Sequence, residues 1–449
     1  MDDGGRSNGV GDAALGRKNR STATDVPVRV ELDRKLESDA AVKTTAQDFV
    51  MTDPVSIIGG TPVKRYEKNV AALELLEELL SQGKQATPEQ QAILAGYTGW
   101  GSFGQELFQG TWDKPVFKKD NGVESAAWKE RNLWLRERLG ESAWKSAHES
   151  TINAHFTDPY TVTAMWSMAE KMGFTGGRVL EPAVGTGNFI SLMPTHVKSR
   201  SQVTGIDMDM TTAQISKQLF PESNIQNMPY QHSKTPDNFY DLVISNVPFA
   251  DIKIADRRHN KLNPNVHDYF FLKALDQVRP GGVVMAITSS GTMDKLSEVI
   301  RRELAKKAEL VTAIRLPSGA FAEYAGTAVV TDIIVLRKRQ EPIHDVTNEA
   351  WVYVATGQQV PGGKINYNAF YLNHPQNILG TLGVGSGTTR FGAGMIVNRP
   401  NNLKERLEKL SDFVPESVFL DRDTSDNLTY YANKTGERNM SLTLQDNQI

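Results

Sequence analysis

Cysteine is absent from the 449 residues, which excludes disulfide frameworks, thiolate zinc sites and cysteine nucleophiles. Also missing is any apolar run long enough to span a bilayer, and the opening MDDGGRSNGVGDAALGRKNR has no apolar centre of the secretory kind. The chain is therefore expected to be soluble and cytoplasmic, with no membrane partner. No fixed-period repeat is present. Charge of one sign is not in excess either: the formal net charge is −3, so contact with a polyanion has to come from a local basic surface. Two phosphate motifs are lacking. Ile190 stands where the third glycine of G-x-G-x-x-G would follow Gly185 and Gly187, and there is no G-K-[ST], so NAD and ATP both fall in rank.

What is present suggests two or three structural units, with 39% hydrophobic residues to build their cores. Residues 1–58 are polar, lack apolar periodicity and are expected to form a disordered tail. Residues 59–150 read as a helical region. Val70, Leu73, Leu76 and Leu80 fall on one helical face ending at Gly83, and Thr87, Pro88 and Gln90 spell an N-cap, a first helical position and a capping box. The stretch 96–112 mixes glycines with Tyr97, Trp100, Phe103 and Phe108, and is read as a tightly turned loop pinned to a core rather than an exposed aromatic platform.

Residues 151–340 change character. The runs 178–181, 203–206, 241–246, 283–288, 311–316 and 329–336 read as strands with helical patterns between several of them. That alternation predicts an α/β fold with a doubly wound, mostly parallel sheet, whose ligand lies beyond the carboxyl ends of its strands. Residues 341–449 form a C-terminal extension, expected to hold any target-recognition region, with the glycine-rich 380–394 read as a loop.

Three features sit at such strand ends. EPAVGTGNF (181–189) places Gly185 and Gly187 in a turn and opens a helix at Asn188, where free N–H groups suit a carboxylate or phosphate. Asp207 ends the next strand about twenty residues on, where a carboxylate can take both ribose hydroxyls of a nucleoside cofactor. DLVISNVPFAD (241–251) ends a strand in Asn246, Val247, Pro248 and Phe249. The Asn246 side chain and the Val247 carbonyl are acceptors, Phe249 is a flat ring, and Pro248 restricts the residue before it. Two acceptors and a ring describe a clamp for a planar group bearing an amine.

EPAVGTGNF, GIDMD and NVPF, in that order, resemble motifs I, II and IV of the S-adenosylmethionine-dependent amino-methyltransferases, and HFTDPYTVTAMW (155–166) resembles their motif X. The order is that of the gamma class of DNA adenine-N6 methyltransferases. The wider pattern, over roughly residues 65–395, is similar to the methylase part of large methylase-helicase, antirestriction-type proteins of phages and conjugative elements. The resemblance implies a seven-stranded Rossmann-like sheet, S-adenosyl-L-methionine as cofactor and no metal. Phe156 and Thr157 would border the methionine part of the cofactor, with Glu181, Ala183, Gly185 and Gly187 around its backbone and Asp207 on its ribose. Asn246 and the Val247 carbonyl would hold the N6 amine of an adenine flipped out of DNA, and Phe249 would stack on it.

Val247 departs from the family by replacing the first proline of the usual signature. Helicase motifs are also missing, so the chain is expected either to act as a stand-alone methylase or to rely on a separate helicase or other phage or plasmid proteins for access to DNA, in a bacterial host cell or a virion. Lys253, Arg257, Arg258, His259 and Lys261 follow the clamp within one loop; they read either as phosphate contacts or as a solvated charged loop. His267, just before DYFF, could face the site but is read as structural. The same clamp serves adenine in RNA and glutamine amides in proteins, and a non-catalytic methylase-like assembly module is the alternative of a different class.

Overall fold

The computed structural model describes residues 47–153, 157–319, 329–385 and 394–421. Phe156 and most of the glycine-rich loop at 380–394 lie outside the described residues.

The central sheet has seven strands: β1 (Arg178–Glu181), β2 (Gln202–Asp207), β3 (Asn224–Asn227), β4 (Tyr240–Asn246), β5 (Val278–Ser289), β6 (Ala308–Arg315) and β7 (Thr331–Lys338). Their spatial order is β6-β7-β5-β4-β1-β2-β3. Strands β1 to β5 run parallel, while β7 is antiparallel to both β5 and β6. This is the doubly wound, Rossmann-like sheet that the alternating pattern predicts. The strand order reverses between β1 and β4, so the crevice between their carboxyl ends is where a ligand has room. Leu242, Val243 and Ile244 of β4 are buried on both faces, as a central parallel strand requires.

Ahead of the sheet lie α1 (Pro54–Ile58), α2 (Pro62–Gln82), α3 (Pro88–Leu94), the long α4 (Ala126–Asn153), bent at Gly140, and α5 (Pro159–Lys171). α3 opens with the expected capping box, Gln90 N–H donating to Thr87 Oγ1 and Thr87 N–H to Gln90 Oε1. α2 ends at Gly83 in the left-handed conformation, as read, but its buried face is shifted: Tyr66, Asn69, Ala72, Leu76 and Leu79 point inward while Leu80 is 48% exposed. The helix packs on two sides. Ala72, Leu76 and Leu79 join the core beneath the sheet, and Val70 and Leu73 lean on a separate aromatic core. In that second core Trp100, Phe103 and Phe108 are buried with Trp128 and Trp144, so the glycine-aromatic stretch is a packing element.

Residues 47–58, read as part of a tail, are held against the rest of the chain. Phe49 N–H donates to the Leu219 carbonyl, Met51 N–H to that of Ser191, and Asp53 caps α1. Met51 and Ile58 are buried, and this apolar content fixes the segment. Among the described residues, no helix is long and apolar enough to cross a membrane.

Candidate active site

Beyond β1 the chain turns through Gly185 (φ 55°) and Gly187 (φ 76°) into α6 (Asn188–Ser191). Both glycines need the left-handed region, but they differ in surroundings. A Cβ on Gly187 would run into the ring of Phe220, the residue after α7 (Met210–Leu219), whereas one on Gly185 would meet nothing within 4 Å. The turn is therefore packed on one side and open on the other. Val184 N–H donates to the Ile206 carbonyl and Gly185 N–H to Asp207 Oδ2, at 2.9 and 2.8 Å, which ties the turn to the end of β2. Asp207 Oδ1 accepts from Asp209 N–H at 2.8 Å.

Several polar atoms around this turn are buried without a partner: Glu181 Oε2, Thr186 Oγ1 and Asn188 Oδ1. Glu181 is 2% exposed; burial, then the nearby Asp207 charge, pushes its carboxyl well above the usual carboxylate range. Burial also raises half-buried Asp207 to about 6, against the lowering effect of the Asp209 and Gly185 N–H groups. Buried oxygens of this kind are costly unless something donates to them. With the open space over Gly185, they fit a ligand carrying hydroxyl or ammonium donors. Thr157 is brought here too, its carbonyl accepting from Asn188 Nδ2 at 3.2 Å. Ala183 lies in the turn, half-buried.

At the end of β4, on the same rim, stand Asn246, Val247, Pro248 and Phe249. The Val247 N–H continues the ladder to the Ile287 carbonyl of β5 at 3.1 Å. A proline there would lack this donor, so valine in place of the family's proline gains a bond while Pro248 still restrains the carbonyl. Asn246 is half-buried, and Phe249 is 9% exposed, so its ring offers little free face for stacking.

The basic loop is not gathered at the clamp. Val266 N–H donates to the Ile252 carbonyl, and Lys253 Nζ to that of Asn263 at 2.9 Å, which places Lys253 at the loop base beside the start of α8 (Val266–Gln277). Arg258 instead reaches Asp237 at 3.0 Å and Asp276 at 3.1 Å, carboxylates next to the amino ends of β4 and β5. The length of β4, roughly 20 Å, separates it from Asn246. Asp276 also receives His259 at 3.1 Å and Lys307 at 2.7 Å; although burial opposes it, these bonds hold its carboxyl well below the usual range. Arg257 and Lys261 are exposed.

Two features escaped sequence reading. Buried Tyr97, from the aromatic stretch, lies close enough to Asp209 and Asp207 that, after burial itself, their charges help raise its hydroxyl; no local motif signals this. The unpartnered Thr186 and Asn188 oxygens were within the quoted glycine turn, and their short polar side chains among glycines were the available signal.

The profile of the N-6 DNA Methylase family matches residues 145–393. Over 286 residues the chain is 28% identical to the "Defense against restriction protein B" of Escherichia phage P1, which covers 61% of this chain and 10% of that protein. It is 24% identical over 286 residues to the type I restriction enzyme EcoEI methylase subunit of Escherichia coli, covering 58% of this chain and 56% of the subunit. The chain thus spans about a tenth and about half of these curated relatives. A crystal structure of a type I restriction-modification methyltransferase subunit from Streptococcus thermophilus superposes over 69% of this chain and 78% of that one, with 13% identity and a TM-score of 0.37.

Proposed function

The chain belongs to the N-6 DNA Methylase family, and from that premise we propose that it methylates the exocyclic amine of adenine in DNA, with S-adenosyl-L-methionine as donor. The observation that carries this reading is the shared rim: the Asn246–Phe249 clamp stands across the β1/β4 crevice from the glycine turn, Glu181 and Asp207. The cofactor, when bound, supplies an activated methyl group. Glu181, Ala183, Gly185, Gly187, Thr157 and Asp207 would hold it, with Phe156 assigned by resemblance alone.

The protein's own work is positioning. Adenine N6 is a poor nucleophile while its lone pair is delocalised into the ring. Hydrogen bonds to the Asn246 side-chain oxygen and the Val247 carbonyl favour a tetrahedral nitrogen and so free that pair. The target atom is out of reach in a stacked duplex, so the base is taken as flipped out, and stacking on Phe249 requires its ring, 9% exposed, to be uncovered. Lys253, Arg257 and Lys261 are available for phosphate contacts; Arg258 is engaged elsewhere. Likeness to the phage P1 protein supports a role in protecting mobile-element DNA from restriction in the host cytoplasm, alone or with other phage or plasmid proteins.

Mapping methylated bases on plasmid DNA from cells expressing the chain tests the reading. N6-methyladenine that disappears in Asn246→Ala, with cofactor binding retained, is the expected result. No modified adenine in DNA would direct the search to RNA or to glutamine amides, and no cofactor binding would leave only an assembly role.

A further inference from the structure

The loop after the clamp packs its apolar residues inward except one. Val247 lies in the apolar cluster built with α8, and Ala250 and Ile254 pack against that cluster, whereas Ile252 between them is 48% exposed. The backbone there is nevertheless fixed. The Ile252 carbonyl accepts from Val266 N–H at 2.8 Å, Lys253 forms an antiparallel bridge with Asn265, and Lys253 Nζ reaches the Asn263 carbonyl. The loop is thus tied to the first turn of α8, and a stiff β-branched side chain is held out into solvent.

Single exposed aliphatic residues are commonplace; the surroundings of Ile252 set it apart. β4, β5 and β7 lie close together in the sheet, on the clamp's half of the carboxyl rim. Leu296, after β5, and Val329, just before β7, are also exposed, and Ser290 N–H donates to the Val330 carbonyl at 3.0 Å, joining those two segments. The charges of Asp251, Lys253 and Lys295 all reach the buried His267 ring at the start of α8, which places the loops carrying Ile252 and Leu296 beside the same helix end. Cations accompany this apolar edge. Lys253, Arg257 and Lys261 are exposed in the Ile252 loop against one exposed acid, Asp251; Asp256 accepts from Tyr269 Oη at 2.6 Å and from the Arg258 N–H at 2.9 Å. That balance suits a polyanion better than the apolar centre of a protein interface, where charge is depleted.

Taking a base out of a duplex opens a vacant step whose flanking bases lose their stacking. An apolar side chain that enters the step restores contact. The base turns about its own backbone, so the vacated step stays within about one nucleotide of the pocket that receives it. Phe249 and Ile252 are three residues apart, at most about 10 Å of chain, which matches that separation. Resting on the adenine reading above, we propose that Ile252 is a positioning residue that enters the duplex where the target adenine has left, with Lys253, Arg257 and Lys261 on the adjoining phosphates.

The test compares methyl transfer to two oligonucleotide duplexes around an adenine found by the plasmid mapping, at saturating S-adenosylmethionine and DNA below saturation, so that the rate includes the cost of opening the duplex. In one duplex the adenine is paired; in the other it is an unpaired bulge, whose flanking pairs close on each other and leave no step to fill. Ile252→Ala should be roughly tenfold slower than wild type on the paired duplex, from lost aliphatic contact, but close to wild type on the bulge. Ile252→Leu, which keeps the apolar volume, should restore most of the paired rate. With 2-aminopurine in place of the paired adenine, the fluorescence rise that reports unstacking should be smaller for Ile252→Ala, and this readout decides if the bulge is not methylated. Equal slowing on both duplexes, an unchanged rate on the paired one, or an undiminished fluorescence rise overturns the assignment. Absence of any methyl transfer to DNA adenine by the wild type would instead count against the reading on which the proposal rests.

Discussion

Glu181 and Asp332 are both carboxylic acids buried on the carboxyl rim of the central sheet, 2% and 0% exposed, yet they are treated in opposite ways. Glu181, at the end of β1, has no cation beside it among the described residues and keeps an unpartnered oxygen. Asp332, at the start of antiparallel β7, is gripped at both oxygens by the Arg315 guanidinium, each at 2.8 Å, and that guanidinium also bonds Asp294 at 2.9 Å. Tyr371 packs on the same guanidinium, 4.3 Å from its ring centre. A fully paired buried acid holds structure together; an unpaired one stores binding capacity for a ligand.

Breaking the paired acid should produce the largest effect. Arg315→Met strands two buried carboxylates and is expected to cost about 3–5 kcal/mol in urea unfolding; an unchanged midpoint would mean that the pair is idle. Next, Gly187→Ala drives a Cβ into the Phe220 ring at a left-handed position, with an expected loss of roughly 2–3 kcal/mol, read in the same assay. Gly185→Ala, with open space around it, should cost less and act chiefly on cofactor affinity.

The unpaired acid behaves differently. Glu181→Gln should leave the ligand-free protein as stable or more so, yet weaken S-adenosylmethionine binding about tenfold or more, the scale of one charged hydrogen bond; calorimetric titration reads both. The pH dependence sharpens the contrast. Glu181 and Asp207 have pKa values raised on folding, the latter to about 6. Folding therefore binds their protons more tightly, and ligand-free stability falls as pH rises from about 4, the unfolded carboxylate value, through their folded values. Melting temperatures across that range should show the fall, reduced in Glu181→Gln. The smallest effect belongs to Val247→Pro, which deletes the bond to Ile287 at a cost of about 1 kcal/mol and should retain methyl transfer.

Much of this was legible in the sequence where residues act locally. The β-branched runs of β4, β5 and β7 are buried on both faces, and that is why they stand out. β3, Asn-Ile-Gln-Asn, was invisible because a short edge strand needs only one apolar residue, Ile225, to anchor it. The C-terminal hairpins, Val354–Val360 with Gly363–Asn368 and Thr381–Val384 with Met395–Asn398, also went unread, since half-polar strands without strict alternation carry little period-2 signal. The glycine turn, Asp207 and Asn246–Phe249 could be placed at the ends of β1, β2 and β4 because the ends of apolar runs are legible. The destination of Arg258 was not, because its partners lie 21 and 18 residues away and an ion pair leaves no periodicity.

That pairing of Arg258 has a thermodynamic consequence. A side chain already neutralised by two carboxylates has no condensed counterion to displace from a nucleic-acid backbone. The steepness with which affinity falls with salt counts the phosphates neutralised, so it should register Lys253, Arg257 and Lys261 and be blind to Arg258.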